Sequence, residues 1–169
     1  FTGTVRSDSA TVVISEIGAY EGTDEEWLEI VNVSDAPVDL TDWIFWEAGV
    51  NHGLSLVQGD DMILGPNEYA VITQNDVAFI AKYPDVTAMI IDSSWGTLNE
   101  SGEVVGLKNA AGEMVEEFTY IAAPDTSLER VDLRDSDYTA SNWREHPDGN
   151  SAGERNFWYE EPTEDDTPP

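Results

Sequence analysis

The chain has 169 residues, and seven Lys and Arg against thirty-five Asp and Glu give it a net charge of −28. This charge repels the phosphates of nucleic acid and the head groups of anionic membranes, so we expect neither as a partner. The chain has no cysteine, which excludes a disulfide framework and a thiolate metal site. No apolar run approaches the ~20 residues of a membrane-spanning helix, so we expect no membrane insertion.

Short apolar runs rich in β-branched and aromatic residues follow one another along the chain, separated by turn formers. They lie at residues 11–17, 26–32, 38–46, 62–64, 69–72, 88–91, 104–107, 114–120 and 127–131. Residues 76–83 predict one short helix, because apolar residues recur at helical spacing and Pro84 follows. This succession is typical of an all-β sandwich or barrel with one short helix between strands.

The ends of the chain differ in composition from its middle. From residue 158 the chain becomes acidic and rich in proline, which predicts a linker or tail. We therefore expect an N-terminal extension at 1–9, one domain at 10–157 and the acidic linker at 158–169. A linker implies a neighbouring domain, and a chain that begins at Phe1 predicts that a signal or upstream segment has been removed.

Several short motifs occur in the order in which the lamin tail domain carries them. They are residues 13–17 (VISEI), 26–32 (EWLEIVN), 37–43 (PVDLTDW), 64–69 (LGPNEY), 101–107 (SGEVVGL), 112–115 (GEMV), 127–130 (SLER), 142–143 (NW) and 153–156 (GERN). Through them the chain resembles that family, an immunoglobulin-like β-sandwich found in nuclear lamins and in many bacterial and archaeal secreted proteins. Asp42 and Asn67 stand where the family often has Gly, and residues 151–152 stand where Thr-Pro is common.

The resemblance implies which residues form the core and what kind of protein this is. The expected core residues are Trp27, Leu28, Ile30, Trp43, Leu107, Tyr120 and Trp143. Family members often accompany secreted nucleases, phosphatases and surface-anchored proteins. The resemblance therefore implies a non-catalytic binding or scaffolding module, secreted or at the cell surface, accessory to another domain of the same polypeptide. Its expected partner is a protein or an extracellular polymer.

One arginine lies in an apolar strand among spare carboxylates. We predict that Arg130 is bound by Glu16 or Glu29 in a partly buried, bidentate ion pair, because an unpaired buried charge is costly. This pair is expected to be structural.

Catalytic chemistry finds little support in the sequence. His52 and His146 are the only histidines, and both lie in loop-like segments. The patterns of serine hydrolases, zinc proteases and nucleotide-binding loops are absent from the sequence. We therefore expect no enzyme activity and no cofactor.

Two alternative functions remain open at this point. Asp132, Asp135 and Asp137 cluster in one loop, and further acids lie at 60–61 and 21–26, so a calcium-dependent adhesive or stabilising module is one alternative. A solvated acidic face accounts for the same clustering. The other alternative is a carbohydrate-binding module, with Phe45, Trp46 and His52 as its candidate binding face.

Overall fold

The computed structural model describes residues 10–121, 125–135 and 141–159. Its strands, in chain order, are β1 (Val12–Gly18), β2 (Trp27–Asn32), β3 (Val38–Asp39), β4 (Ile44–Glu47), β5 (Val50–Gly53), β6 (Ser55–Gln58), β7 (Ile63–Leu64), β8 (Tyr69–Thr73), β9 (Met89–Asp92), β10 (Val104–Lys108), β11 (Met114–Thr119), β12 (Leu128–Arg130) and β13 (Trp143–Glu145). One helix, α1 (Asp76–Lys82), lies between β8 and β9. The prediction of an all-β fold with one short helix is confirmed.

The strands form a sandwich of two main sheets. The seven-stranded sheet has the order β13-β12-β1-β2-β8-β9-β6, and the four-stranded sheet has the order β11-β10-β4-β5. A two-stranded ribbon of β3 and β7 lies apart from them. All pairs are antiparallel except β8 with β9, which are parallel and are joined through α1. A parallel pair needs such a crossover, so the helix follows from the topology.

The main core lies between the two sheets. Ile14, Ile30 and Ile72 of the seven-stranded sheet pack with Phe45 and Leu107 of the four-stranded sheet, and all five are fully buried. All seven predicted core residues are buried in the structure.

The seven-stranded sheet is buried on its outward face as well. Every residue of β1 and β2 is buried, including those that alternation directs away from the main core. Trp27 and Val71 meet Phe79 of α1 on this face, with the Trp27 and Phe79 ring centroids 6.2 Å apart in an edge-to-face arrangement. Asn75 caps the helix by accepting a hydrogen bond from the Ala78 backbone N–H at 3.1 Å.

Two positions at which the family often has glycine adopt the left-handed conformation that glycine favours. Asp42 and Asn67 both have a φ of 61°. Asn and Asp tolerate this conformation better than other side chains. The turn around Asn67 is closed further by Glu68, whose side chain accepts a hydrogen bond from the Gly65 N–H at 2.6 Å. Both turns therefore keep the backbone that a glycine would give.

The last described residues form a closing segment, residues 150–158, that runs over the outward face of the seven-stranded sheet. Ala152 joins the cluster around Trp27, and Asn156 donates hydrogen bonds to the carbonyls of Ser15 and Arg130 at 2.8 and 3.0 Å. Trp158 donates from its indole N–H to the Glu145 carbonyl at 2.8 Å. The predicted extension at 1–9 and nearly all of the predicted linker lie outside the described residues.

Candidate interaction surface and buried carboxylates

Arg130 binds a different carboxylate from those the sequence predicted. Its Nη1 lies 2.6 Å from Oε1 of Glu116 on β11, and both side chains are buried. The other carboxyl oxygen of Glu116 accepts the Ile14 backbone N–H at 2.6 Å. Arg130 also donates to the carbonyls of Ile14 and Asp135. The ion pair thus joins the two sheets, and the prediction of Glu16 or Glu29 as its partner is wrong.

Strand alternation explains this correction. Glu129, the residue before Arg130, pairs across the sheet with Glu16, and Glu16 pairs with Glu29. Cross-strand partners share a face, whereas successive residues point to opposite faces. These glutamates therefore lie on the outward face, and Arg130 points inward to the second sheet.

Glu29, Glu16 and Glu129 form a row of carboxylates across three neighbouring strands, β2, β1 and β12. All three are fully buried on the outward face. Like charges directly opposite one another in a sheet are destabilising. Within the described residues, no Lys or Arg forms an ion pair with any of the three.

Hydrogen bonds from the closing segment satisfy this carboxylate row. Glu16 accepts the backbone N–H and the hydroxyl of Ser151, each at 2.8 Å, and Glu29 accepts the Gly153 N–H at 2.7 Å. Glu129 accepts the Ser151 hydroxyl, and its carboxyl oxygens also accept two more backbone N–H groups of this segment, at 3.1 and 3.3 Å. Glu16 and Glu129 thus share Ser151, Glu29 holds Gly153, and Glu129 also holds the end of the closing segment.

Burial also changes the acidity of the row. It raises the pKa of Glu16 from 4.5 to about 7, and the charge of Glu129 adds to the rise. Burial raises the pKa of Glu29 well above its usual value, and the neighbouring Glu16 adds to that. The sequence prediction missed Glu129 and Ser151. One signal was available in the sequence: the apolar runs 11–17, 26–32 and 127–131 each contain a glutamate at an internal position.

The acidic loops proposed for calcium have protein partners. Lys82 binds both Glu21 and Glu25, and Glu26 accepts the Trp95 indole N–H at 2.8 Å and the Leu98 N–H at 2.7 Å.

The predicted aspartate site is only partly described. Asp132 accepts the Arg134 N–H at 2.9 Å, Asp135 is exposed, and Asp137 lies outside the described residues. Among the described residues, no group of three or more His, Asp or Glu side chains is placed to hold a metal ion.

The two histidines are held by local contacts. His52 Nε2 is 3.0 Å from Glu47 Oε2, and its ring stacks on Phe45 at 5.8 Å. His146 accepts the Asp148 N–H at 3.0 Å and packs edge-to-face on Phe157. Each histidine contacts an aromatic ring and forms a hydrogen bond with a residue nearby in the sequence.

The candidate binding face of Phe45, Trp46 and His52 does not exist as one surface. Phe45 is fully buried in the main core and His52 is half-buried beside it, on the inward face of β4 and β5. Trp46 is the next residue along β4 and therefore points outward. Only Trp46 of the predicted three can meet a partner.

Trp46 belongs to the outward face of the four-stranded sheet, which we call the Trp46 surface. It comprises Ile44, Trp46, Gly106, Lys108, Met114 and Glu117. Trp46 is half-buried, Met114 is 39% exposed, and the Lys108 ammonium lies 6.0 Å from the Trp46 ring centroid. Within the described residues, no helix or further strand packs over this face.

A two-sheet sandwich with a buried inter-sheet ion pair is the architecture of an immunoglobulin-like domain. Residues 6–122, more than half of the chain, match the family model of the lamin tail domain. The chain belongs to the lamin tail domain family, whose members are immunoglobulin-like protein-interaction domains not known for catalysis. A search of the curated proteins finds no significant match.

Strands β12 and β13 follow the matched range, yet they extend the same sheet. In the part of the chain that the structure describes, the one helix is far too short to cross a membrane.

Proposed function

We propose that this chain is a non-catalytic binding module of a larger secreted or cell-surface protein, and that it contacts a protein partner through the Trp46 surface. The observation that carries the proposal is the open outward face of the four-stranded sheet. Trp and Met are enriched at the centres of protein interfaces. A half-exposed Trp46 beside Met114 supplies such a centre.

The charge of the chain favours a particular kind of partner. A net charge of −28 surrounds the Trp46 surface with a negative field. A partner with basic groups around an apolar centre would be steered to this face and would associate faster at low salt. The resemblance to accessory domains of secreted proteins supports a neighbouring domain of the same polypeptide as that partner.

The alternatives are distinguished by separate measurements. A calcium-dependent module predicts a melting temperature that millimolar CaCl₂ raises well beyond NaCl at matched ionic strength. A sugar-binding module predicts quenching of Trp46 fluorescence by glycans, which a Trp46→Phe variant would lose.

Photo-crosslinking in the full-length protein tests the proposal. A benzophenone amino acid replaces Trp46 in one variant and Val77 in a control variant. Val77 is 72% exposed on α1, away from the Trp46 surface. We expect position 46 to crosslink to a defined protein segment, identified by mass spectrometry, and position 77 not to. Equal crosslinking from both positions, or none from position 46, would overturn the assignment of this surface.

A further inference from the structure

The Ser151 hydroxyl lies between two carboxyl groups. Its Oγ is 2.8 Å from Glu16 Oε2 and also within hydrogen-bonding distance of Glu129 Oε1. A serine hydroxyl carries one hydrogen, and an ionised carboxylate can only accept. If both glutamates were ionised, one of these two oxygen–oxygen contacts would contain no hydrogen.

The other bonds of Glu16 indicate where the missing hydrogen lies. Oε1 of Glu16 already accepts the Ser127 hydroxyl and the Ser151 N–H. A proton on Oε2 would donate to Ser151 Oγ, which in turn donates to Glu129. Glu129 then acts as an acceptor throughout, from the Ser151 hydroxyl and from two backbone N–H groups.

We propose that Glu16, Glu29 and Glu129 hold at least one shared proton at neutral pH, and that this proton keeps the closing segment, residues 150–158, against the sheet. The raised pKa of Glu16, about 7, agrees with this geometry. Three adjacent buried carboxylates, without an ion pair to a described cation, could all ionise only by admitting water. Water would enter where the closing segment lies.

Other titratable or charged groups lie around the row and the closing segment. They are Arg130 on β12, which faces Glu116 on the opposite side of the sheet, Tyr69 on β8, Arg144 on β13, His146, Arg155 and Tyr159, with Tyr20 and Tyr83 at the Asn150 end. Of these, His146 contacts the closing segment through the Phe157 ring at 5.6 Å. It therefore needs a control of its own.

The direction of the pH effect follows from the raised pKa of Glu16. A carboxyl group whose pKa is higher in the folded chain contributes stability that is fully present below about pH 4.5 and is lost as pH rises through about 7. The closing segment should therefore be held tightly at pH 5 and loosened at pH 8.

Carbon-13 NMR of the glutamate carboxyl carbons measures the proton directly in the unaltered chain. We expect the Glu16 resonance, assigned by its absence in a Glu16→Gln variant, to titrate with a midpoint near 7. Hydrogen exchange, corrected for intrinsic rates, should show the amides of Ser151 and Gly153 losing protection by about tenfold or more between pH 6 and pH 8. This is the size of change expected when closure of the segment is linked to the uptake of one proton.

Glu16→Gln tests whether the proton on Glu16, rather than another titrating group, holds the closing segment. The amide can accept at Oε1 and donate from Nε2 to Ser151, which reproduces the protonated carboxyl. This variant should keep its melting temperature and its segment protection at pH 8. Glu117→Gln removes one exposed charge from β11, and His146→Asn removes the histidine; both should retain the pH dependence.

Two results would overturn the proposal. One is a set of glutamate carbons that all titrate below about pH 5, as ordinary glutamates do. The other is a closing segment whose protection does not change with pH while Glu16 titrates. The first result needs no resonance assignment, so it decides the matter in the unaltered chain even if Glu16→Gln fails to fold.

Discussion

The seven-stranded and the four-stranded sheets contribute one face each to the main core, but their outward faces differ. The outward face of the seven-stranded sheet lies under α1 and the closing segment and contains the carboxylate row of Glu16, Glu29 and Glu129. The outward face of the four-stranded sheet presents Trp46 and Met114 to solvent. The first face carries charge inside the protein, and the second carries apolar groups outside it.

This difference shows that residue type alone does not decide the role of a face. On the covered face, carboxyl groups serve as acceptors for the backbone N–H groups of a segment that has no strand to pair with. On the open face, apolar groups remain available to a partner. Three pairs of substitutions test how far the covered and open regions differ in stability.

Arg130→Met should have the largest effect, because it leaves the buried Glu116 carboxylate between the two sheets without its ion-pair partner. Breaking a buried ion pair on one side costs about 3–5 kcal/mol. We expect the free energy of unfolding, measured with urea at pH 7, to fall by that amount.

The matched control is Arg144→Met. Arg144 is exposed, and its guanidinium lies 5.3 Å from the Trp158 ring centroid. Its removal should cost less than about 1 kcal/mol. Equal losses in the two variants would mean that the buried inter-sheet ion pair contributes no more to the free energy of unfolding than an exposed arginine does.

Gly18→Ala and Gly53→Ala add the same methyl group at two sites. Gly18 lies on the covered seven-stranded sheet, and Gly53 lies on the open four-stranded sheet. A Cβ at Gly18 would lie 2.4 Å from the Trp27 indole ring, whereas a Cβ at Gly53 would meet nothing within 4 Å. Overpacking of this kind costs about 1–3 kcal/mol. Thermal unfolding should show that loss for Gly18→Ala, and a change within about 0.5 kcal/mol for Gly53→Ala.

Met114→Thr should have the smallest effect. Met114 is 39% exposed on the Trp46 surface, and threonine suits an exposed strand. The free energy of unfolding should change by less than about 0.5 kcal/mol. Val71→Thr, at a fully buried position under α1, places a hydroxyl in an apolar cluster and should cost about 1–3 kcal/mol. A large loss for Met114→Thr would show that this face is covered in solution.

The sequence was sufficient for most of the strands, the helix and the family. It did not predict β6 or β13, and the segment of His52, predicted as a loop, is strand β5. Alternation in residues 26–32, the turn at Gly65-Pro66 and the Pro84 stop are local signals, and the structure places β2, the Asn67 turn and α1 there. The seven predicted core residues are also buried.

The partner of Arg130 could not be predicted, because strand register is not a local property. Arg130 points to β11 because its neighbour Glu129 pairs with Glu16 on the outward face. The β-bulge between Ile14 and Glu16, in the pairing of β1 with β2, places Glu16 on the face opposite to Ile14. A one-residue shift would have reversed the faces. The separation of Phe45 from Trp46 was predictable, since neighbours in a strand cannot share a face.

The closing segment also has a consequence for the order in which the chain folds. Its contacts with β1 join residues that are far apart in sequence, as between Ser15 and Asn156 or Glu16 and Ser151. During synthesis, the carboxyl group of Glu16 in the first strand therefore stays in contact with water until nearly the last described residues have been made. Folding that depends on such distant contacts is slow. A chain truncated before Ser151 would expose three ionised glutamates along the middle of its largest sheet.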